Sequence, residues 1–477
     1  MPAKIRHFSE KHDICVILFF QKIKITPIFN IFSTQKLKRK APRNTKKVKI
    51  TSFCKVELAI SEKKTIFAGR IRILIVNEKT NHYMDAFFRT HSYLVEHTNA
   101  PVHRSLMDEI NWNDRMVGIK GTRGVGKSTF LLQYAKEKFG PHDHQCLYIN
   151  MNNFYFQGMG IADFAGDFYR KGGRVLLIDQ VFKHPEWSSE LRKCYDQYPN
   201  LKIVFTGSSV MRLKDENPEL NGIVKSYNLR GFSFREFLNL QTGNNFRAYS
   251  LDEILNDHER IIKQILPKAS PAKYFMSYIH HGFYPFFLEQ RNFSENLLKT
   301  MNMMTEVDIL LIKQIELKYL TKIKKLFYML AVAGPKAPNI SKLAHEIQTS
   351  RATVMNYIKY LADARLINLI YPVGQQFPKK PSKVMLHNSN LIYAIYNINA
   401  NKQDAMETFF VNSLWKDHKV NQGTKDGFYI IDEKKKFRIC DAENTKIRFS
   451  PDTIYARYNT EIGKDNRIPL WLFGFLY

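Results

Sequence analysis

Short apolar runs alternate with helical periods through the first half of the chain. Met116-Val117-Gly118-Ile119 reads as a buried strand, Thr129 to Phe139 as a helix, and Cys146-Leu147-Tyr148-Ile149 as a second strand. Val175-Leu176-Leu177-Ile178, bounded by Gly172-Gly173 and Asp179, is a third run, and Leu201 to Thr206, ended by Gly207, a fourth. This order predicts an α/β fold in which a parallel sheet is flanked by helices, rather than a sandwich. After Phe232 the strands stop, and the helical period dominates from Leu251 to about Tyr328, with breaks at Pro267, Pro271 and Gly282. Residues 339–371 read helix, turn, helix and short strand: Ser341 caps Lys342 to Ile347, Thr349-Ser350 opens Arg351 to Leu361, and Leu366 to Tyr371 is extended. That order suggests a winged helix-turn-helix. From Met406 a small α/β or β-rich tail follows, finishing in the apolar Ile468 to Tyr477.

The 477 residues favour about three domains, and 44% hydrophobic with 24% charged residues excludes a disordered chain. The net charge of +28 points to an acidic partner such as nucleic acid. Its distribution tempers that reading, because residues 1–83 hold 19 Lys and Arg against 5 Asp and Glu, half of the excess. That segment reads either as a basic arm that tracks phosphates or as a poorly ordered extension preceding a start at Met84. Five scattered cysteines, Cys15, Cys54, Cys146, Cys194 and Cys440, indicate neither a disulfide framework nor a zinc site, and fit a reducing cytoplasm. The N-terminal apolar run Ile14 to Phe20 is too short for a membrane span.

Gly121-Thr122-Arg123-Gly124-Val125-Gly126-Lys127-Ser128 matches G-x-x-x-x-G-K-[ST] between an expected strand and an expected helix. Glycines let successive backbone N–H groups turn inward around phosphates, and the helix adds its N-terminal dipole. Lys127 is the expected phosphate ligand and Ser128 the Mg²⁺ ligand, with Thr129 facing the nucleotide from the first turn. Asp179, ending the third strand, is the second metal position. Gln180 follows where a glutamate would activate water; an amide orients water but accepts no proton, so binding with slow hydrolysis is expected. Thr206-Gly207-Ser208-Ser209 offers hydroxyls for sensing the γ-phosphate, with Ser208 or Ser209 as the sensor, or is a plain Ser/Gly turn. ATP is the nucleotide expected at this loop.

The loop, together with Leu176-Leu177-Ile178-Asp179, Val204-Phe205-Thr206-Gly207-Ser208-Ser209, Phe232-Ser233-Phe234-Arg235-Glu236-Phe237 and Ile468-Pro469-Leu470-Trp471-Leu472-Phe473-Gly474-Phe475, resembles a family. This is a bacterial and archaeal family of AAA-type P-loop ATPases with a winged-helix segment and a C-terminal restriction-endonuclease-like domain. The resemblance spans about 84–477 and implies an AAA-like core at 84–240, a helical region at 241–335, a winged helix at 336–385 and an endonuclease-like domain at 386–477. It also implies ATP and Mg²⁺ as ligands and a cytoplasmic protein. Three departures stand out. Gln180 replaces the usual acidic residue. No arginine lies around Leu220-Asn221-Gly222-Ile223, leaving Arg212, Arg230 and Arg235 to offer a guanidinium. In the tail, the family's metal-binding positions would fall near Asp426, Arg438 and Ala442, and neither Glu407 nor Asp441 restores the set, so no nuclease activity is expected.

In the candidate winged helix, Arg351, Thr353, Asn356, Tyr357, Lys359 and Tyr360 suit phosphate and groove contacts. Alternatively, Val354, Ile358, Leu361 and Leu366 are the core stripe of a protein-interaction domain. The sequence therefore reads as an ATP-binding AAA-like protein with weak hydrolysis, or as an ATP-gated DNA-binding or scaffolding module. DNA through the winged helix and further copies of the chain are the expected macromolecular partners, with no membrane.

Overall fold

Each of the four apolar runs is a strand, and a fifth joins them. In the computed structural model, which describes residues 83–211, 217–289, 292–310, 314–396, 400–425 and 427–477, β1 (Met116–Gly121), β2 (Cys146–Asn150), β3 (Val175–Asp179), β4 (Lys202–Ser208) and β5 (Lys225–Asn228) form one parallel sheet. Its order is β2-β3-β4-β1-β5. The hydrophobic pattern missed β5 because Lys225-Ser226-Tyr227-Asn228 is a polar edge strand, mostly exposed and paired only with β1. The expectations for residues 1–82, Arg212 and Asp426 lie outside the described residues.

Side chains alternate across the sheet as strand geometry requires. Val175 and Leu177 of β3 pack on the side of α1 (Lys127–Lys138), with Phe130, Leu131 and Tyr134. Leu176 and Ile178 pack on the opposite side with α2 (Ile161–Arg170) and α3 (Trp187–Gln197). Burial on both faces is why these strands read as unbroken apolar runs. The α1 side of this core continues through Met301, Met304 and Leu326 into the helix-turn-helix segment.

In that segment α4 (Ile340–Glu346) and α5 (Arg351–Asp363) are followed by β6 (Ile367–Ile370) and β7 (Lys383–Leu386), an antiparallel pair. Asn339, not Ser341, caps α4: its side chain accepts from the Lys342 N–H. Ser350 caps α5 by accepting from the Thr353 N–H. Val354, Ile358, Leu361 and Leu366 are buried as a core stripe, and Tyr357 is buried with them rather than exposed, because it falls on the same helical face.

The C-terminal part builds its own sheet from β8 (Val420–Gln422), β9 (Phe428–Ile431), β10 (Lys435–Asp441), β11 (Thr453–Tyr458) and β12 (Arg467–Pro469), ordered β12-β11-β10-β9-β8. Against it lies α6 (Lys402–Leu414), whose Phe409, Phe410 and Leu414 share a core with Phe437, Trp471, Phe473 and Phe475. Phe234 belongs to this core too. A Cβ on Gly474 would stand 2.5 Å from the Phe234 Cβ, so the chain's last turn seats closely on the segment beginning at Phe232. Among the described residues no helix is long and apolar enough to cross a membrane. Cys146, Cys194 and Cys440 are buried free thiols.

Candidate functional site

The loop from Gly121 to Ser128 leaves β1 and enters α1, as its spacing required. It turns through Gly124 (φ +78°) and Gly126 (φ +90°), left-handed conformations that side chains resist. Its buried Val125 carbonyl is held by the Arg104 guanidinium at 3.1 Å. A cavity of about 500 Å³ opens over the loop; Arg123, Gly124, Gly126, Lys127, Ser128, Thr129, Asp179, Gln180 and Ser208 all line it. Gly121, Thr122 and Val125 complete the turn from behind, without lining the cavity, and are buried.

Strand order explains what meets there. Because β4 sits between β1 and β3, the residue ending β3 faces the start of α1 across β4. Ser128 Oγ donates to Asp179 Oδ2 at 2.6 Å, and the same oxygen accepts from Tyr148 OH at 2.9 Å and Asn150 Nδ2 at 3.1 Å. Thr206 of β4 donates to Asp179 Oδ1. The carboxylate is 1% exposed and surrounded by neutral donors. Burial and this neighbouring charge push the Tyr148 phenol pKa up, keeping it a donor.

Lys127 Nζ donates to the Gly121 and Thr122 carbonyls at 2.8 and 2.7 Å. Burial lowers its pKa to about 8, against the pull of Asp308 and Asp179. Gln180 adopts φ +55°, and its backbone N–H donates to Thr206 Oγ1 at 2.9 Å, so the hydroxyl on β4 fixes both the carboxylate and the residue after it. Ser208 lines the cavity, whereas Ser209 lines a separate groove. Arg123 reaches Asp308 of the helical region at 3.0 Å. Burial raises the Asp308 pKa, offset by Arg123 and Lys127.

Arg230 and Arg235 do not supply a guanidinium to this cavity. Arg230 donates to the Asn412 carbonyl, and Arg235 to the carbonyls of Tyr477 and Phe246. Ser233 and Glu236 form a capping box, and Glu236 also accepts from Arg104 at 3.1 Å. The stretch around Arg235 is therefore a joint: Arg104 and Glu236 tie it to the P-loop, and Arg235 ties it to the chain's end.

Sequence reasoning missed Tyr148, Asn150, Arg104 and Asp308, and counted Thr206 only within a hydroxyl-rich stretch. The first two lie toward the C-terminal end of β2, where α/β sheets gather ligands, and that rule was enough to flag them. Arg104 and Asp308 carry no local signal.

In the tail, Glu407 on α6 is buried against Lys383 of β7, with Nζ to Oε2 at 3.1 Å, and Tyr429 OH donates to the same oxygen at 2.6 Å. Arg438 lies over the Phe428 ring, and Asp441 accepts from Asn459. Among the described residues no cluster of three or more His, Cys, Asp or Glu is placed to hold a metal.

Residues 113–238 match the family model described as an AAA domain, and residues 272–402 match a domain of unknown function, DUF8612. With the parallel five-stranded sheet, this makes the first region an AAA-type P-loop nucleotide-binding domain. The chain is 26% identical over 292 residues to the uncharacterized protein MJ1637 of Methanocaldococcus jannaschii, covering 57% of this chain and 60% of that protein. It is 25% identical over 266 residues to MJ1544 of the same organism, covering 53% and 55%. It thus spans little more than half the length of these relatives. Among solved structures, the Aeropyrum pernix ORC1 protein in complex with DNA aligns over 68% of this chain and 91% of that one, at 8% identity and TM-score 0.26. Thermotoga maritima RuvB aligns over 60% and 89%, at 14% identity and TM-score 0.24.

Proposed function

We propose that the chain binds ATP with Mg²⁺ at the P-loop cavity and hydrolyses it slowly. The observation that carries this reading is the 2.6 Å contact between Ser128 Oγ and Asp179 Oδ2 at the mouth of the loop. Two hard oxygen groups side by side suit Mg²⁺, which typically takes one or two protein ligands and completes its shell with phosphate oxygens and water. That economy explains why no multi-carboxylate cluster is needed. Mg²⁺ bound there would offset the charge that develops during phosphoryl transfer. Residues 121–129 hold the phosphates, with Lys127 as their cation. Asp179 accepts from its four donors, Ser128 among them, and Ser208 senses the γ-phosphate from the end of β4. Gln180 orients the attacking water without accepting its proton, which makes turnover slow.

In the same reading, residues 84–240 are the ATPase core, 241–335 a helical region, 336–385 a winged helix, and 386–477 an endonuclease-like domain without nuclease activity. The Lys383 ammonium supplies to Glu407 the positive charge that a metal would otherwise bring. The protein is cytoplasmic and forms homo-oligomers. A second reading, an ATP-gated DNA-binding or scaffolding module, is favoured by one observation: the α1 side of the sheet and the helix-turn-helix segment share one continuous core.

The test is ATP binding and steady-state hydrolysis measured side by side, with Lys127→Ala as control. Mg²⁺-dependent binding with slow turnover, both lost in Lys127→Ala, is the expected result. Absence of binding in the unaltered chain would overturn the proposal.

A further inference from the structure

A second cavity, about 1170 Å³ in volume, lies where the turn after β4 meets α5, β6 and the Trp415–Asn421 segment. It exceeds the roughly 300–1,000 Å³ of ordinary small-ligand pockets, which suits an extended polymer better than a metabolite. Lys120, Lys359, Arg365 and Lys419 line it against a single carboxylate, Asp363. Lys359 and Lys419 are held by Asp363 and Glu433, and Lys120 donates to the Met211 carbonyl. Arg365 is different. Among the described residues its guanidinium has no hydrogen bond or ion pair within contact distance, and burial and the Arg230 charge lower its pKa against the more distant pull of Asp363. Its backbone sits at φ +60° just past the end of α5, a position that favours glycine. A cation is therefore held, against both desolvation and backbone preference, where its charge opens onto the groove.

The same groove carries the partly buried rings of Tyr371, Phe377 and Trp415. At its floor, Asn421 Oδ1 and Tyr371 OH are buried without a partner among the described residues. Cations interleaved with aromatic faces and an idle hydrogen-bond acceptor are the chemistry that takes a nucleic-acid backbone and its unstacked bases together. A duplex keeps its base faces stacked inside and offers nothing to those rings. We infer that this groove binds single-stranded nucleic acid, with Arg365 on a phosphate, Trp415 under a base, and Asn421 accepting from a base edge. The inference does not depend on ATP turnover, and of the α5 residues that a winged helix would present to a duplex only Lys359 lines this groove.

The experiment is fluorescence anisotropy on the full chain with labelled oligothymidylate and oligouridylate of about 16 nucleotides, the upper span of one single-strand site, and a duplex competitor. The basic segment before residue 83 contributes the same background to every variant. Arg365→Gly is expected to weaken binding roughly tenfold and to reduce the salt slope by about 0.7, the share of one phosphate contact. It should melt at or above the unaltered protein, because glycine suits that backbone, so weaker binding cannot be ascribed to misfolding. Trp415→Leu is expected to weaken binding at least about fivefold and to abolish base-induced tryptophan quenching. The DNA and RNA arms identify which sugar is taken, and Arg365-dependent binding of either supports the inference. Failure to bind either oligonucleotide, unchanged binding in both variants, or stronger competition by the duplex than by unlabelled single strand would overturn it.

Discussion

Two buried carboxylates, Asp179 and Glu407, stand in comparable places, one ending a sheet strand and one on a helix packed against a sheet. Their surroundings are opposite. Asp179 is ringed by Ser128, Tyr148, Asn150 and Thr206, all neutral donors, and it opens onto the 500 Å³ cavity beside Lys127. Glu407 is closed in by Lys383, Tyr429 and Gln403. Four neutral donors satisfy the lone pairs of a carboxylate without forming an ion pair with it, so a cation can still be gained. A carboxylate already paired with a buried ammonium has no such capacity. On the proposed reading, the contrast separates a site open to a visiting metal from one whose positive charge is part of the fold.

The sharpest test concerns what the Asp179 site lacks. If the proposed roles of Lys127, Ser128 and Asp179 hold, Gln180→Glu adds the missing proton acceptor, and turnover is expected to rise by roughly 10²- to 10⁴-fold with ATP affinity little changed. A steady-state assay checks this. No gain would mean that the site misses more than its base, and would favour the nucleotide-gated reading. The next largest effect belongs to the tail. Lys383→Met strands Glu407 as an unpaired buried charge, at about 3–5 kcal/mol of stability by urea unfolding. Lys383→Met combined with Glu407→Leu should recover most of that loss. If the single variant instead bound Mg²⁺ and cleaved DNA, the pair would be a plug in a working nuclease and the contrast would fail.

What was legible in the sequence was whatever depends on neighbours in the chain. Four strands, the loop and Asp179 follow from apolar runs, glycine spacing and the carboxylate that closes β3. The edge strand β5 was hidden because only one side of it is paired and its residues are polar. The donor cage of Asp179 needs the strand order, since Thr206 reaches the carboxylate only because β4 lies between β1 and β3. Arg104 with Glu236, Arg123 with Asp308, and Lys383 with Glu407 join elements distant in sequence, and no periodicity announces such pairs. The stretch from Phe232 to Phe237 was visible as a signature, yet its use as a joint between the P-loop and the chain terminus appears only in three dimensions.

The smallest expected effect tests whether the Asp179 region stays free of fixed positive charge beneath its donor cage. His91 is buried, and its Nδ1 accepts from the backbone N–H of Tyr148, the residue whose phenol donates to Asp179. That bond requires a neutral ring. Burial, aided by His144, lowers the His91 pKa to about 4, whereas an unfolded histidine titrates near 6.5. Above about pH 6.5 both states are neutral and the His91 contribution is fully present. Between about 6.5 and 4 only the unfolded state takes up the proton, so stability falls by up to about 1.4 kcal/mol per pH unit, near 3 kcal/mol in total. Other buried histidines, His387 among them, shift in the same direction, so the measurement is a difference. His91→Asn keeps an acceptor for the Tyr148 N–H while removing the titration. Urea unfolding of both proteins across this range should show a steeper acid loss in the unaltered chain. Parallel curves would mean that the ring gains its proton without leaving the folded state, and that the cage around Asp179 tolerates a charge beneath it.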